Sequence, residues 1–212
     1  ANNQLSGTVP LLDNCFHLRR LYLQYNDLTG ALPDFTSDTL RNLHIDNNQI
    51  SDITGVLGLS KLRVLYAGNN QLSGVLPDVS SMDSLSILNL ELNNFSGPLP
   101  GFIENRRLSN INLAANNLSG IVPDFSLPRL KFLNVSSNNF EGTIPAFDSC
   151  LLLERIFVND NNFTGPLPQF AADSTLDQVF ATGNELTGPM PDFDQYNTWR
   201  KLFIDDNRLD FT

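Results

Sequence analysis

Two histidines and two cysteines stand among 212 residues, alongside 23 acidic and 13 basic side chains, and any reaction centre would have to be drawn from these groups. Cys15 and His17 lie two residues apart and have the types of a nucleophile and its base. A thiolate nucleophile also needs a group that orients the base and donors for an oxyanion, and the segment Asn14-Cys15-Phe16-His17-Leu18 supplies neither. Asp160, Asp205 and Asp206 concentrate carboxylates towards one end, but a calcium ion takes six to eight converging oxygens and no loop has that spacing. No enzyme activity, metal or other cofactor is therefore expected. The net charge of −10 comes without a basic cluster that could neutralise phosphates, which argues against a nucleic acid partner. There is no apolar run long enough to span a bilayer and no signal-peptide pattern.

What remains is surface chemistry. Four Asn-x-Ser/Thr sequons, at Asn94, Asn117, Asn134 and Asn162, are candidate N-glycan acceptors. Three of them fall inside a recurring Asn-Asn-x-Ser/Thr-Gly string, whereas Asn134 stands apart from it.

That string belongs to the frame that must position everything else. Asn3, Asn26, Asn48, Asn70, Asn93, Asn116, Asn138, Asn161, Asn184 and Asn207 each precede a Leu, Ile or Phe by two, at intervals of 22 or 23 residues. A unit so short cannot enclose its own apolar face and must stack on copies of itself. The fifth unit reads Leu85, Leu88, Leu90, Asn93, Phe95, Gly97, Leu99, Pro100, and the sixth repeats the spacing from Leu108 to Pro123. Alternation over Leu88-Asn89-Leu90 has the period of a strand. The Gly permits a left-handed turn, and the Pro prevents a helix from running through the return. The third unit departs from the frame, because Ser51-Asp52-Ile53-Thr54 carries neither Gly nor Pro, and any second row of strands should break there.

On this frame and on eight Gly-x-[Val/Leu/Ile/Met]-Pro turns, the chain resembles the leucine-rich repeat proteins, specifically the plant-type subclass with an SGxIP turn. The resemblance implies a solenoid with a parallel sheet on the concave face, an extended and turn-rich convex side, and little or no α-helix. It also implies a buried ladder in which the Asn side chains satisfy turn backbone, a task suited to an amide with both donor and acceptor. Residues 1–212 read as a single array of about ten units without recognisable N- or C-terminal caps, whose ends are left to stack on further repeats or other chains. The mean period of about 22.7 residues is shorter than the 24 usual in that subclass. Cys15 and Cys150 each follow a turn proline by five and are separated by six units, roughly 29 Å at strand spacing, so they cannot pair. Both are expected to be buried thiols.

One outward residue per strand gives the column Tyr22, His44, Tyr66, Asn89, Asn112, Asn134, Phe157, Phe180, Phe203. Phe132 stands in the column before it. Nine other Phe, such as Phe95, Phe102 and Phe125, recur where the frame directs side chains inward and belong to the core. Like residues stacked in threes are what duplication leaves, and this accounts for the Asn block as well as a function would. Outward Phe in succession mark an interaction surface, and Arg20, Arg155 and Lys201 lie alongside as opposite charge. The expected function is a non-catalytic recognition module, extracellular or at the cell surface, binding a protein, peptide or glycan through Tyr22, His44, Tyr66, Asn89, Asn112, Phe132, Phe157, Phe180 and Phe203. The alternative is a structural glycoprotein module assembling into a wall or filament, with ice binding through the Asn block as a third reading. Resemblance to receptor-kinase ectodomains and secreted plant-type repeat proteins supports the first.

Overall fold

The computed structural model describes residues 3–12, 14–35, 39–171, 175–192 and 199–210. Nine parallel strands of three residues each, from Arg20–Tyr22 to Lys201–Phe203, pair in chain order into one sheet. In every one the middle residue (Leu21, Leu43, Leu65 and so on) is apolar and turned to the core, while the flanking pair faces out. This is the expected alternation, although the strands end on the column residues and do not centre on them. A second row lies one turn further along each unit. It is split into a three-stranded sheet, Ser6–Gly7, Asp27–Ala31 and Gln49–Asp52, and a seven-stranded sheet running from Ser73–Val75 to Arg208–Asp210.

The split falls at the third unit, where the sequence lacks the glycine and proline of the turn. After Asp52 the chain leaves the row and enters a 3-10 turn, Thr54–Val56, the one helical element among the described residues. Asp52 caps that turn, accepting from the Thr54 amide at 2.7 Å and from its hydroxyl at 3.0 Å. The turn leans on the second unit, where the Phe35 amide donates to the Gly55 carbonyl at 3.1 Å. Any Cβ on Gly55 would stand 2.3 Å from the Pro33 carbonyl oxygen, so only glycine fits. On the other side the lean leaves a cleft of about 250 Å³ between the third and fourth units, floored by Leu72 and Phe95.

The core is a continuous column of Leu, Ile, Val and Phe between the two rows. Phe102, Phe125 and Phe147 stack through it at 5.8 and 6.1 Å, and Phe140 meets Phe163 at 6.3 Å. Phe95 and Phe170 are also buried and Phe35 is half-buried, as their recurring positions require; Phe193 lies outside the described residues. Each fully buried large side chain contributes about 1.5–3 kcal/mol.

The Asn ladder is continuous. From Asn48 onward each Nδ2 donates to carbonyls two and three residues back and to one in the preceding unit, and each Oδ1 accepts an amide of the preceding unit. Seven of these Asn are buried, but the expectation of ten is corrected: Asn48 and Asn207 are half-buried and Asn3 is exposed. Cys150 is buried, and its thiol donates to the Phe125 carbonyl at 3.1 Å. Cys15 is exposed, against expectation. Cys150 rests on a residue 25 positions earlier, in the preceding unit.

Candidate functional site

The pairing register brings all nine column residues into line. Tyr22 faces His44, His44 faces Tyr66, and the series continues through Asn89, Asn112 and Asn134 to Phe157, Phe180 and Phe203. Its three blocks are physically distinct.

At one end the His44 ring packs edge-on against Tyr22 at 4.6 Å and tilted against Tyr66 at 4.7 Å. Partial burial between the two rings pushes the His44 imidazole below its ordinary range, and the nearby Asp46 carboxylate opposes that shift.

In the middle, the three Asn are not a free polar array. Asn89 and Asn112 both donate to the Glu91 carboxylate, at 3.2 and 2.6 Å. Each Asn Oδ1 accepts the amide two residues on, in Asn89, Asn112 and Asn134 alike, and Asn134 also accepts the Ser136 hydroxyl at 2.7 Å. These are Asx turns that close each strand. Much of the block's hydrogen-bonding capacity is spent on the protein itself, which weakens a role in ordering ice.

At the other end the phenyl rings stack. Phe157 and Phe180 lie 4.4 Å apart within 7° of parallel, and Phe180 and Phe203 lie 4.8 Å apart within 10°. Phe132 extends the strip sideways, tilted against Phe157 at 5.5 Å with the Arg155 guanidinium 5.1 Å above its ring. Phe203 is 46% exposed, and Phe132, Phe157 and Phe180 are half-buried by one another.

Charge is partly sorted across the sheet, with Glu154 and Asp177 as acidic exceptions at the leading margin. Eight of the 13 basic residues, among them Arg19, Arg20, Arg63, Arg155 and Lys201, stand at the leading margin where the chain enters the strands. The trailing margin carries Asp46, Glu91, Asp160, Asp205 and Asp206 and no Lys or Arg. Among the described residues no group of three or more His, Cys, Asp or Glu is arranged to hold a metal.

Glu91 escaped sequence reasoning, and so did a run of strained turns. The residue before each ladder Asn has positive φ in all nine units from Tyr25 to Asp206. Five of those positions are Asn, Asp or Gly, the types that tolerate this region, and that enrichment was the available signal. The sequons divide by place. Asn94, Asn117 and Asn162 are exposed and open strands of the second row, whereas Asn134 sits half-buried in the middle of the nine-stranded sheet.

A two-copy Leucine Rich repeats model matches residues 38–74, and a single Leucine Rich Repeat model matches residues 17–38 and 129–151. The repeats in those segments match leucine-rich repeats. The chain is 34% identical over 93 residues to Receptor-like protein 18 of Arabidopsis thaliana, an alignment covering 42% of the chain and 11% of that relative. In fold it superposes on the plant peptide hormone receptor RGFR1, solved in complex with RGF2, with a TM-score of 0.92 and 30% identity over 98% of the chain. It also superposes on the Arabidopsis receptor kinase HAESA, solved with the peptide hormone IDA and the co-receptor SERK1, with a TM-score of 0.87 and 26% identity over 98% of the chain. The chain spans about a third of each of these receptors, 35% and 37% respectively. Among the described residues no helix is long and apolar enough to cross a membrane.

Proposed function

We propose that this leucine-rich repeat array, of the plant-type subclass, is a non-catalytic recognition module at the cell surface whose nine-stranded sheet binds an extended peptide. The observation that carries the proposal is the register-aligned Phe strip left facing solvent. Stacked aromatic side chains on a rigid sheet give large contact area at little entropic cost, the usual composition of a binding hot spot. The nine-residue column measures roughly 38 Å at strand spacing, the length of about a dozen extended residues. The solved receptors of the same fold carry peptide hormones, which supports a peptide over a glycan as the ligand.

Panning immobilised protein against a random dodecapeptide library tests this. Selected peptides should lose at least about fivefold in affinity against Phe180→Ala, a hot-spot loss of about 1 kcal/mol. They should be indifferent to Val75→Ala on the exposed second row. Peptides indifferent to Phe180→Ala would sink the assignment of the sheet. The sequons provide a second test. Glycans on Asn94, Asn117 and Asn162 leave the sheet open, whereas one on Asn134 stands between the Tyr-His and Phe ends. Glycopeptide mass spectrometry of native-source protein showing Asn134 largely occupied would exclude a ligand along the whole column and favour the structural-glycoprotein reading or binding confined to the Phe end.

A further inference from the structure

The Phe strip lies between a leading margin where Arg155 and Lys201 stand outside the recorded ion pairs and a trailing margin where Asp160 and Asp205 do. Lys201, Phe203 and Asp205 are two residues apart in succession, so a cation and an aromatic ring share one face of the strand Lys201–Phe203 and an anion follows just past its end. Two strands away the order recurs, with Arg155, Phe157 and, at the turn, Asp160. Among the described residues the ion pairs recorded are Lys131–Glu154, Arg200–Asp177 and Arg208–Glu185, and none includes Arg155, Lys201, Asp160 or Asp205. The two carboxylates are instead steadied by neutral donors. The Thr182 hydroxyl donates to Asp205 at 2.8 Å, and the Asn159 amide donates to Asp160 at 2.6 Å. Those bonds fix the carboxylates on the trailing side without neutralising them. Arg155, its guanidinium 5.1 Å from the centroid of the Phe132 ring, is held on the leading side by that contact.

Four residues separate Lys201 from Asp205, at most roughly 13 Å of extended chain, and none of the recorded ion pairs joins the two rows across the trough. A ligand that spans it can satisfy both. An extended segment rises by the same distance per residue and turns alternate side chains to the same side, so five of its residues cross the trough with the first, third and fifth facing the sheet. Resting on the recognition reading above, we infer that at the Phe end the ligand crosses the column along the strand direction, with a segment of the pattern acid–x–aromatic–x–base, and does not follow the column there. Its acid meets Arg155 and Lys201, its ring meets the Phe strip, and its base meets Asp160 and Asp205. The chain can lie in either direction, because charge order and not backbone polarity sets the match.

The test uses four capped synthetic heptapeptides, Gly-Glu-Ser-Phe-Ser-Arg-Gly and three variants: Glu at both charged positions, Arg at both, and Ser in place of Phe. Each is titrated into the 15N-labelled 212-residue chain and followed at the amides of Phe157, Phe180 and Phe203. The mixed-charge peptide should bind at least about fivefold tighter than either single-charge peptide, lose that advantage as salt rises, and bind undetectably without its Phe. The double variant Arg155→Glu, Lys201→Glu, which reverses both leading-margin cations of the Phe end that lie outside the recorded ion pairs, should shift preference to the Arg-Arg peptide, a gain that a misfolded variant cannot mimic. Equal affinity for all three Phe-containing peptides would overturn the charge pattern and leave the recognition reading standing. No response to any Phe-containing peptide would overturn the proposed segment, while the recognition reading stands or falls on the dodecapeptide selection.

Discussion

Asn116 and Asn117 are adjacent, identical in type and opposite in expected consequence. The Asn116 amide donates to the carbonyls of Leu90 at 3.0 Å, Leu113 at 3.1 Å and Ala114 at 3.3 Å, and its Oδ1 accepts the Phe95 amide at 3.0 Å. In Asn116→Ala the three carbonyls each keep another donor: Asn93 at Leu90, Asn138 at Leu113 and the Leu92 amide at Ala114. The Phe95 N–H keeps none among the recorded bonds. A buried donor without a partner costs about 1–3 kcal/mol, and the small cavity left by the missing carboxamide adds to it. We therefore expect a loss of about 2 kcal/mol for Asn116→Ala and no more than about 0.5 kcal/mol for Asn117→Ala, whose side chain is exposed. Urea unfolding gives the global figure, but an array can open locally. Hydrogen exchange at the Phe95 amide is therefore the sharper reading, with protection reduced about 30-fold in Asn116→Ala. Unchanged Phe95 protection, or a stability loss below about 0.5 kcal/mol, would refute the claim that the ladder oxygen is that amide's sole partner.

Three further expectations follow from the same geometry. Gly55→Ala should destabilise by about 1–3 kcal/mol, because its Cβ meets the Leu32 and Pro33 carbonyls, while Gly58→Ala, with nothing within 4 Å, should be neutral or slightly stabilising; equal melting temperatures for the two would contradict the packing of the third unit. A thiol reagent should label Cys15 in the native protein and Cys150 only after denaturation, since burial both shields the Cys150 thiol and pushes its pKa up; native labelling at two sites would refute this. The His44 ring should titrate below its ordinary 6.5 by NMR, and lower still in Asp46→Asn, because burial is the larger effect and Asp46 opposes it. A folded pKa below the unfolded one means that His44's contribution to stability is present above about pH 6.5 and is lost as the pH falls through the folded value. A midpoint at or above 6.5 would show the ring to be solvated.

The repeat frame was legible in the chain because each unit faces the same local problem. A strand must alternate, a turn must satisfy its amides, and a return must leave the strand direction, so Leu, Asn, Gly and Pro recur at fixed offsets. That periodicity carried the stacked array, the outward column from Tyr22 to Phe203, the inward Phe and the interruption at the third unit, while the solenoid with its parallel sheet was implied by the family resemblance. Spacing could not reveal whatever depends on the neighbouring unit. Cys15 and Cys150 share one offset, yet one is exposed and the other buried, because burial is set by what stacks beneath. Asn89 and Asn112 look like a free polar row until Glu91, two positions past Asn89 and in the unit before Asn112, accepts from both. Gly55 breaks the turn pattern in the sequence, and only the closeness of the Pro33 carbonyl shows why glycine stands there. The charge rows beside the Phe strip are scattered along the chain as single residues. They become a trough only when register brings Arg155, Phe157, Lys201 and Phe203 onto one face, since pairing between strands sets side-chain proximity across a sheet and the order of residues does not.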